Sequence, residues 1–260
     1  MPTSKILAKP KKLASYLVST YRRSELLRST LLCMQETLVP ESWELEICVA
    51  VPDFDEISME IVRGISGAPN PITMTVTRDH DLTSQQRANL ANARGELVMC
   101  SGDDDLHSPC RLVAAVNAYE NGWVMSGAEC FISVNQRTRR AAMWKGHPRH
   151  AGAFMNYRRD LIDEVFKRRT SGNVGKDGET WAAIEEMGFS VDSVKLLPDY
   201  LGSESVCIET VPAISKPKPY PDEGSIIDHG NFRVEGLGMW NTIKSLPFEV
   251  HRQVERQVTL

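Results

Sequence analysis

Glu96-Leu97-Val98-Met99-Cys100-Ser101-Gly102-Asp103-Asp104-Asp105 runs from a short, largely apolar segment straight into three consecutive carboxylates. The apolar part predicts a strand covered on both faces, as in a parallel sheet. Three adjacent carboxylates repel one another, and a divalent cation in their midst relieves the repulsion. A hard cation such as Mg²⁺ or Mn²⁺ takes oxygen ligands, typically one or two protein carboxylates, with phosphates supplying the rest. Taken alone, the acidic run reads equally well as a solvated turn capping the helix after Pro109. Its place at the end of a buried strand favours the cation.

Upstream, strands and helices alternate. Leu13 to Thr20 reads as a first strand, and Ser24 to Leu32 has leucines at helical spacing, with Ser24 placed to cap. Leu45 to Val51 is a second strand closed by Pro52-Asp53, Ile57 to Ile65 a helix, Ile72 to Val76 a third strand, and Ser84 to Arg94 a helix. This order predicts βαβ units and a mostly parallel central sheet flanked by helices. Ligands of such sheets bind beyond the carboxyl ends of the strands. Thr20-Tyr21, Asp53 and Asp103 to Asp105 all fall at such ends, so three segments converge on one crevice.

Beyond residue 108 the texture changes. A helix, Arg111 to Glu120, precedes two segments that read as short strands, Trp123 to Ser126 and Glu129 to Val134, and a small second sheet is expected beside the first. Arg139 to His150 reads as basic and partly loop. Arg158 to Lys167 and Glu179 to Met187 read as helices, the second stopped by Gly188. Residues 1–13 form a basic arm. Residues 211–225 carry four prolines and read as a linker, and Phe248 to Val258 is an amphipathic stretch in a C-terminal arm.

Net charge is −4, so the whole molecule is not a polyanion binder by composition. The charge is uneven, with ten Lys or Arg against three acidic residues between Arg137 and Arg169. Lys167-Arg168-Arg169 reads as the solvent-facing end of a helix. Six cysteines lie scattered without CxxC spacing and predict buried free thiols rather than disulfides. With no leader-like apolar stretch and no run of membrane-spanning length, the expectation is a cytoplasmic protein. His147 and His150 stand at a spacing that could ligate a metal, but without a Cys or carboxylate at matching spacing they read as loop histidines, and the motif around His229 is too loose to mark a metal ligand. Trp144 and Trp181 have the usual prospect of buried aromatics rather than sugar platforms.

Several motifs together resemble the family 2 glycosyltransferases of GT-A fold. Val18-Ser19-Thr20-Tyr21-Arg22-Arg23 followed by Gln35 is similar to their opening Thr-Tyr-Asn-Arg strand end and helix, with Arg22 for Asn. Val49 to Asp53 resembles their base-holding strand end, with Asp53 or Asp55 in the acidic role. Gln86-Arg87-Ala88-Asn89 leading to Ala93-Arg94-Gly95-Glu96 resembles their next helix and strand entry. Gly102-Asp103-Asp104-Asp105 with Pro109 resembles their Asp-x-Asp-Asp, with Gly102 at the first Asp. Gly175-Lys176-Asp177-Gly178-Glu179 resembles the late helix start that carries their base, with Lys176 in place of Glu.

The resemblance spans roughly residues 14–190. It implies a nucleotide-sugar-binding half over 14–110, an acceptor and catalytic half over 111–210, and a linker and tail over 211–260. It further implies an inverting, metal-dependent transfer from a nucleoside-diphosphate sugar, UDP-sugar favoured. Asp104 and Asp105 would hold Mn²⁺ or Mg²⁺, Asp103 the ribose or the metal, and Asp177, or alternatively Glu179, would be the base. Thr20, Tyr21, Arg22 and Asp53 would hold the nucleotide, with Arg87 at the ribose or diphosphate. The basic stretch fits a phosphate-bearing acceptor such as nucleic acid, for example hydroxymethylated phage DNA; saccharide, lipid-linked and protein acceptors stand beside it. A non-catalytic nucleotide-sugar-binding module is the alternative. A nucleotidyltransferase ranks lower, because Thr20 to Arg23 lacks a glycine-rich phosphate loop.

Overall fold

The structure is a computed structural model that describes residues 10–67, 69–146, 154–170, 172, 176–197, 207–211, 220–229 and 232–239. Most of the basic arm, His147, His150, residues 173–175, most of the proline-rich segment and the 248–258 stretch fall outside these residues, as does the side chain of His229. The chain runs β1 (Lys12–Ser19), α1 (Ser24–Gln35), β2 (Trp43–Pro52), α2 (Glu56–Ile65), β3 (Ile72–Thr77), α3 (Leu82–Asn92), β4 (Leu97–Gly102) and β5 (Asp105–His107). There follow α4 (Arg111–Glu120), β6 (Met125–Ala128), β7 (Cys130–Asn135), β8 (Arg140–Gly146), β9 (Met155–Arg158), α5 (Arg159–Arg168) and α6 (Lys176–Glu186). The remaining strands are β10 (Val194–Leu197), β11 (Cys207–Val211), β12 (Ile226–His229) and β13 (Phe232–Met239).

The central sheet has the order β10-β6-β9-β4-β1-β2-β3. Within it β3, β2, β1 and β4 are parallel, while β9 is antiparallel to both β4 and β6. The second sheet has the order β12-β13-β8-β7-β11-β5 and is antiparallel except between β7 and β11. The fold is therefore α/β with a mostly parallel, helix-flanked sheet and a smaller sheet beside it, as the alternating pattern predicts.

Chemistry explains the central four strands. Tyr16, Val18, Ile47, Val49 and Met99 are fully buried on one side, packed with Leu27, Leu31 and Leu112. Leu17, Cys48 and Val98 are buried on the other, packed with Tyr157, Ile162 and Trp181. The helix α3 adds Leu90 to this second side and is held further by polar groups: Asn89 donates to the carbonyls of Val18 (3.0 Å) and Cys48 (2.7 Å). Gln35 exchanges two 2.9 Å hydrogen bonds with the backbone of Asn70, fixing the entry to β3. Beyond α6, Gly188 at φ 84° and Phe189 close a Schellman cap on the carbonyls of Glu185 and Ile184.

Three expectations are corrected. Arg23, not Ser24, is the N-cap of α1, and no side chain caps that end. The 140–146 part of the basic segment is a strand, because Ala141, Ala142 and Met143 are buried between β7 and β13. Residues 226–229 and 232–239, read as linker and tail, build two strands of the second sheet. Among the described residues five cysteines are free thiols, four of them buried; burial pushes Cys33 and Cys48 up to about 12. Trp144 and Trp181 are buried, as expected of ordinary core aromatics. No helix among the described residues is long and apolar enough to cross a membrane.

The entry to β4 is pinned by a knot around Glu46. Its side chain is 1% exposed and accepts from Ser15 Oγ (2.7 Å), the Arg94 amide (2.6 Å) and the Arg94 guanidinium (2.8 and 2.9 Å). Gly95 completes the knot, because a Cβ there would lie 2.5 Å from Ser15 Oγ and 2.6 Å from its amide nitrogen. Burial alone would raise the Glu46 carboxyl, but the donors from Ser15 and Arg94 outweigh it and hold it below 4.5. The unfolded chain then binds more protons than the folded one below pH 4.5, so this contribution is present above that pH and lost as pH falls through the depressed folded value. Glu46→Gln should cost about 1–3 kcal/mol at pH 7. Urea unfolding at pH 7 and pH 4 should show the gap to the parent narrowing in acid.

Candidate active site

The carboxyl ends of β1, β2 and β4 meet as the convergence argument requires. Asp103, at the end of β4, is fully buried: Thr20 donates to its Oδ2 (2.7 Å), Arg23 Nη2 lies 2.6 Å from Oδ1, and Thr30 on α1 donates to its carbonyl (2.9 Å). Burial pushes this carboxyl above its ordinary value against the pull of Arg23 and Thr20. Arg23 also reaches Asp104 Oδ2 with Nη1 at 2.6 Å. Burial works against the guanidinium, but Asp103, Asp104 and Asp105 outweigh it and raise its pKa. Sequence reading quotes Arg23 only as part of a motif; the structure makes it the bridge between two carboxylates.

Asp105 is 3% exposed and accepts from the Gly102 amide at 2.6 Å. A Cβ on Gly102 would lie 2.7 Å from Asp105 Oδ2 and 2.8 Å from Asp104 Oδ1. Glycine at this position is thus what lets the two carboxylates close on one point. Among the described residues no group of three His, Cys, Asp or Glu side chains could hold a metal by itself. The pair on Gly102 fits an ion whose remaining ligands arrive with a diphosphate, and does not fit a metal caged by protein alone. Behind the turn, Arg111 is fully buried and donates to Asn156 Oδ1 (2.9 Å) and the Cys100 carbonyl (3.0 Å), with Nη1 2.9 Å from His107 Nδ1. Burial, reinforced by Arg111, holds His107 well below 6.5, so a neutral imidazole braces β5.

Two cavities adjoin the turn and share Ser19, Arg23 and Leu82. One, about 260 Å³, is lined by Thr20, Tyr21, His80 and Gln85. Tyr21 and Phe54 are partly exposed, and the Arg22 guanidinium stands over both rings, 4.8 Å from Phe54. Arg22 sits at φ 55°, held by its amide on Asp55 (2.9 Å). Asp55 also caps α2 through Ser58, so of the two acidic candidates it is Asp53, half-exposed and 3.0 Å from His80, that faces solvent. The other cavity, about 170 Å³, is lined by Gly102, Gln86, Tyr157, Arg169, Asp177 and Thr180 among others. Asp177 is exposed in the first turn of α6. Glu179, the alternative base, is tied to Thr170 by two hydrogen bonds of 2.9 and 3.0 Å.

Arg87 is placed otherwise than expected. Its guanidinium caps the carboxyl end of α5, on the carbonyls of Phe166 (2.8 Å), Lys167 and Arg169. Arg169, expected at a solvent-facing helix end, is 5% exposed and lines the Asp177 cavity. The signal was available: residues 162, 166 and 169 fall on one helical face, and the first two are apolar.

No protein-family profile matches this sequence, and no curated protein matches it. Among solved structures, a mannosyltransferase from Pyrobaculum calidifontis in complex with GDP-Man and Mn²⁺ superposes with a TM-score of 0.55 at 20% identity, over 78% of this chain and 58% of that one. The fold is that of the GT-A glycosyltransferases. S. aureus TarS 1-349 in complex with UDP-GlcNAc aligns over 81% of this chain and 62% of that one, at 12% identity and a TM-score of 0.48. This GT-A chain spans less than two thirds of either structure.

Removing Arg23 strands the buried Asp103 charge, so Arg23→Met should cost about 3–5 kcal/mol at neutral pH. The loss should shrink in acid, where a protonated Asp103 needs no counter-charge; urea midpoints across pH 4–8 read it directly.

Proposed function

We propose that the chain is an inverting, metal-dependent glycosyltransferase that moves a sugar from a nucleoside-diphosphate sugar to an acceptor hydroxyl. One observation carries the reading: in a GT-A fold, two adjoining cavities run from Tyr21 and His80, past Arg23 and the Gly102 that seats Asp104 and Asp105, to Asp177. Tyr21, Arg22 and Asp53 bind the nucleoside. Their aromatic faces, guanidinium and carboxylate suit a base that stacks and donates a hydrogen bond. UDP-sugars are the favoured donors. The solved mannosyltransferase carries GDP-Man, which makes a guanine donor the natural comparison.

Asp104 and Asp105 would hold Mn²⁺ or Mg²⁺, which supplies charge neutralisation for the departing diphosphate. Thr20 and Arg23 keep the buried Asp103 in place, so Asp103 shapes the turn from behind. Asp177 takes the proton of the acceptor hydroxyl as its oxygen bonds to the anomeric carbon, while the bond from that carbon to the diphosphate breaks. The negative charge leaves on the nucleoside diphosphate, and the new glycosidic bond has inverted configuration. Residues 14–110 form the donor half and 111–210 the acceptor half in this reading.

A nucleic-acid acceptor draws little from the surface. Of the ten cations between Arg137 and Arg169, Arg140, Arg158, Arg159, Lys167 and Arg168 each pair with a carboxylate, and Arg169 is buried. The acceptor class proposed is therefore simply a hydroxyl-bearing molecule.

A thermal-shift series with UDP- and GDP-sugars should show stabilisation that needs Mn²⁺ or Mg²⁺, and Asp104→Asn should remove the metal dependence. Asp177→Asn should lower turnover, read as donor hydrolysis or transfer, by roughly 10²–10⁴-fold while leaving donor affinity within a few-fold. Retention of most turnover would remove Asp177 from the base role.

A further inference from the structure

Among the described residues, Arg169 is a charge without an adjacent counter-charge. Its guanidinium donates through Nη1 to Gln86 Oε1 (2.7 Å) and through Nη2 to Thr83 Oγ1 (3.4 Å), two of the five N–H groups an arginine carries. Nε is buried without a hydrogen-bond partner, and the group lies 5.1 Å from the Phe166 ring. No carboxylate among the described residues lies within ion-pair distance of it, whereas the neighbouring Arg158, Arg159, Lys167 and Arg168 each have one. Burial lowers the Arg169 pKa, and Cys100, Tyr157, Asp177 and Glu179 only partly offset this.

Keeping a buried cation unpaired costs several kcal/mol, and the fold goes to some length to hold this one. Arg87 grips the carbonyls of residues 166, 167 and 169, Glu179 grips Thr170, and Asp81 accepts the Gly172 amide at 2.8 Å. These ties fix the turn that delivers Arg169 to the wall of the cavity shared with Gly102 and Asp177. The other cation on that wall, Arg23, is already bound to Asp103 and Asp104.

We propose that Arg169 is an anion-binding residue of the donor site, taking an oxyanion of the bound nucleotide-sugar. This rests on the reading of the cleft as a nucleotide-sugar site. The oxyanion is either a diphosphate oxygen or a carboxylate on the sugar, and both suit a guanidinium held in a low-dielectric wall.

Calorimetric titration of the full chain and Arg169→Gln with UDP, GDP, UDP-glucose and UDP-glucuronate in Mn²⁺ tests it. Loss of one or two charge-assisted hydrogen bonds should weaken binding about tenfold to a hundredfold. An equal loss for the bare diphosphates and both sugars places the oxyanion on the diphosphate; a loss confined to UDP-glucuronate places it on the sugar. Gln86→Glu is the second variant, since it pairs Arg169 with a carboxylate in nearly the same volume even if Arg169→Gln folds poorly. It should reproduce the loss. Parent-like affinity in Arg169→Gln, or a loss there that Gln86→Glu does not share, overturns the assignment while leaving the donor site standing. No binding of any probe to the parent chain overturns the donor reading itself, and this assignment with it.

Discussion

The buried carboxylate of Asp103 is the constraint around which the molecule is arranged. A charge taken wholly out of water must be met by donors and a counter-charge. Here Thr20 comes from the end of β1, Arg23 from the N-cap of α1 and Thr30 from the body of α1. Those contacts lock β1, α1 and β4 into one unit and set the turn of Gly102, Asp104 and Asp105 beside the cleft that Gly102 lines. Gly102 makes that arrangement possible, since any side chain there would fall on both of them. The buried Arg111 and neutral His107 brace the same turn from below.

Electrostatics along the cleft follows from which cations are already matched. Arg23 is matched by carboxylates of the turn, and Arg22 stands on aromatic faces at the outer lobe. Arg87 is occupied with backbone carbonyls, and through them it positions the segment that carries Arg169. The result is a cavity with an exposed carboxylate, Asp177, on one wall and, on another, an arginine that has no ion-pair partner among the described residues. A ligand with a negative group and a hydroxyl-bearing second substrate would complement those walls.

The second sheet is bound to the first by the acidic turn itself. The strand β5 begins at Asp105 and pairs with β11, so the residue beside Gly102 is also the edge of the smaller sheet. Among the described residues, five of the ten cations of the 137–169 stretch are closed into ion pairs, among them Arg140 with Asp222 from the segment before β12. Exposed pairs of this kind contribute little stability, but they cancel the field that a polyanion would need.

The sequence by itself determined the βαβ order, the buried strand before Asp103 and the meeting of three strand ends, because strand and helix periodicity are local properties of the chain. Free buried thiols and core tryptophans were legible for the same reason. Only the tertiary structure showed which of two like groups is consumed: Asp55 caps α2 while Asp53 faces solvent, and Arg87 meets α5's carbonyls while Arg169 lines the cavity. It also decided that 140–146, 226–229 and 232–239 are strands, since β8 and β13 pair across some 90 residues of chain. Hydrogen bonds and ion pairs between distant segments set which polar group is consumed and which faces the cleft. No local pattern encodes that choice.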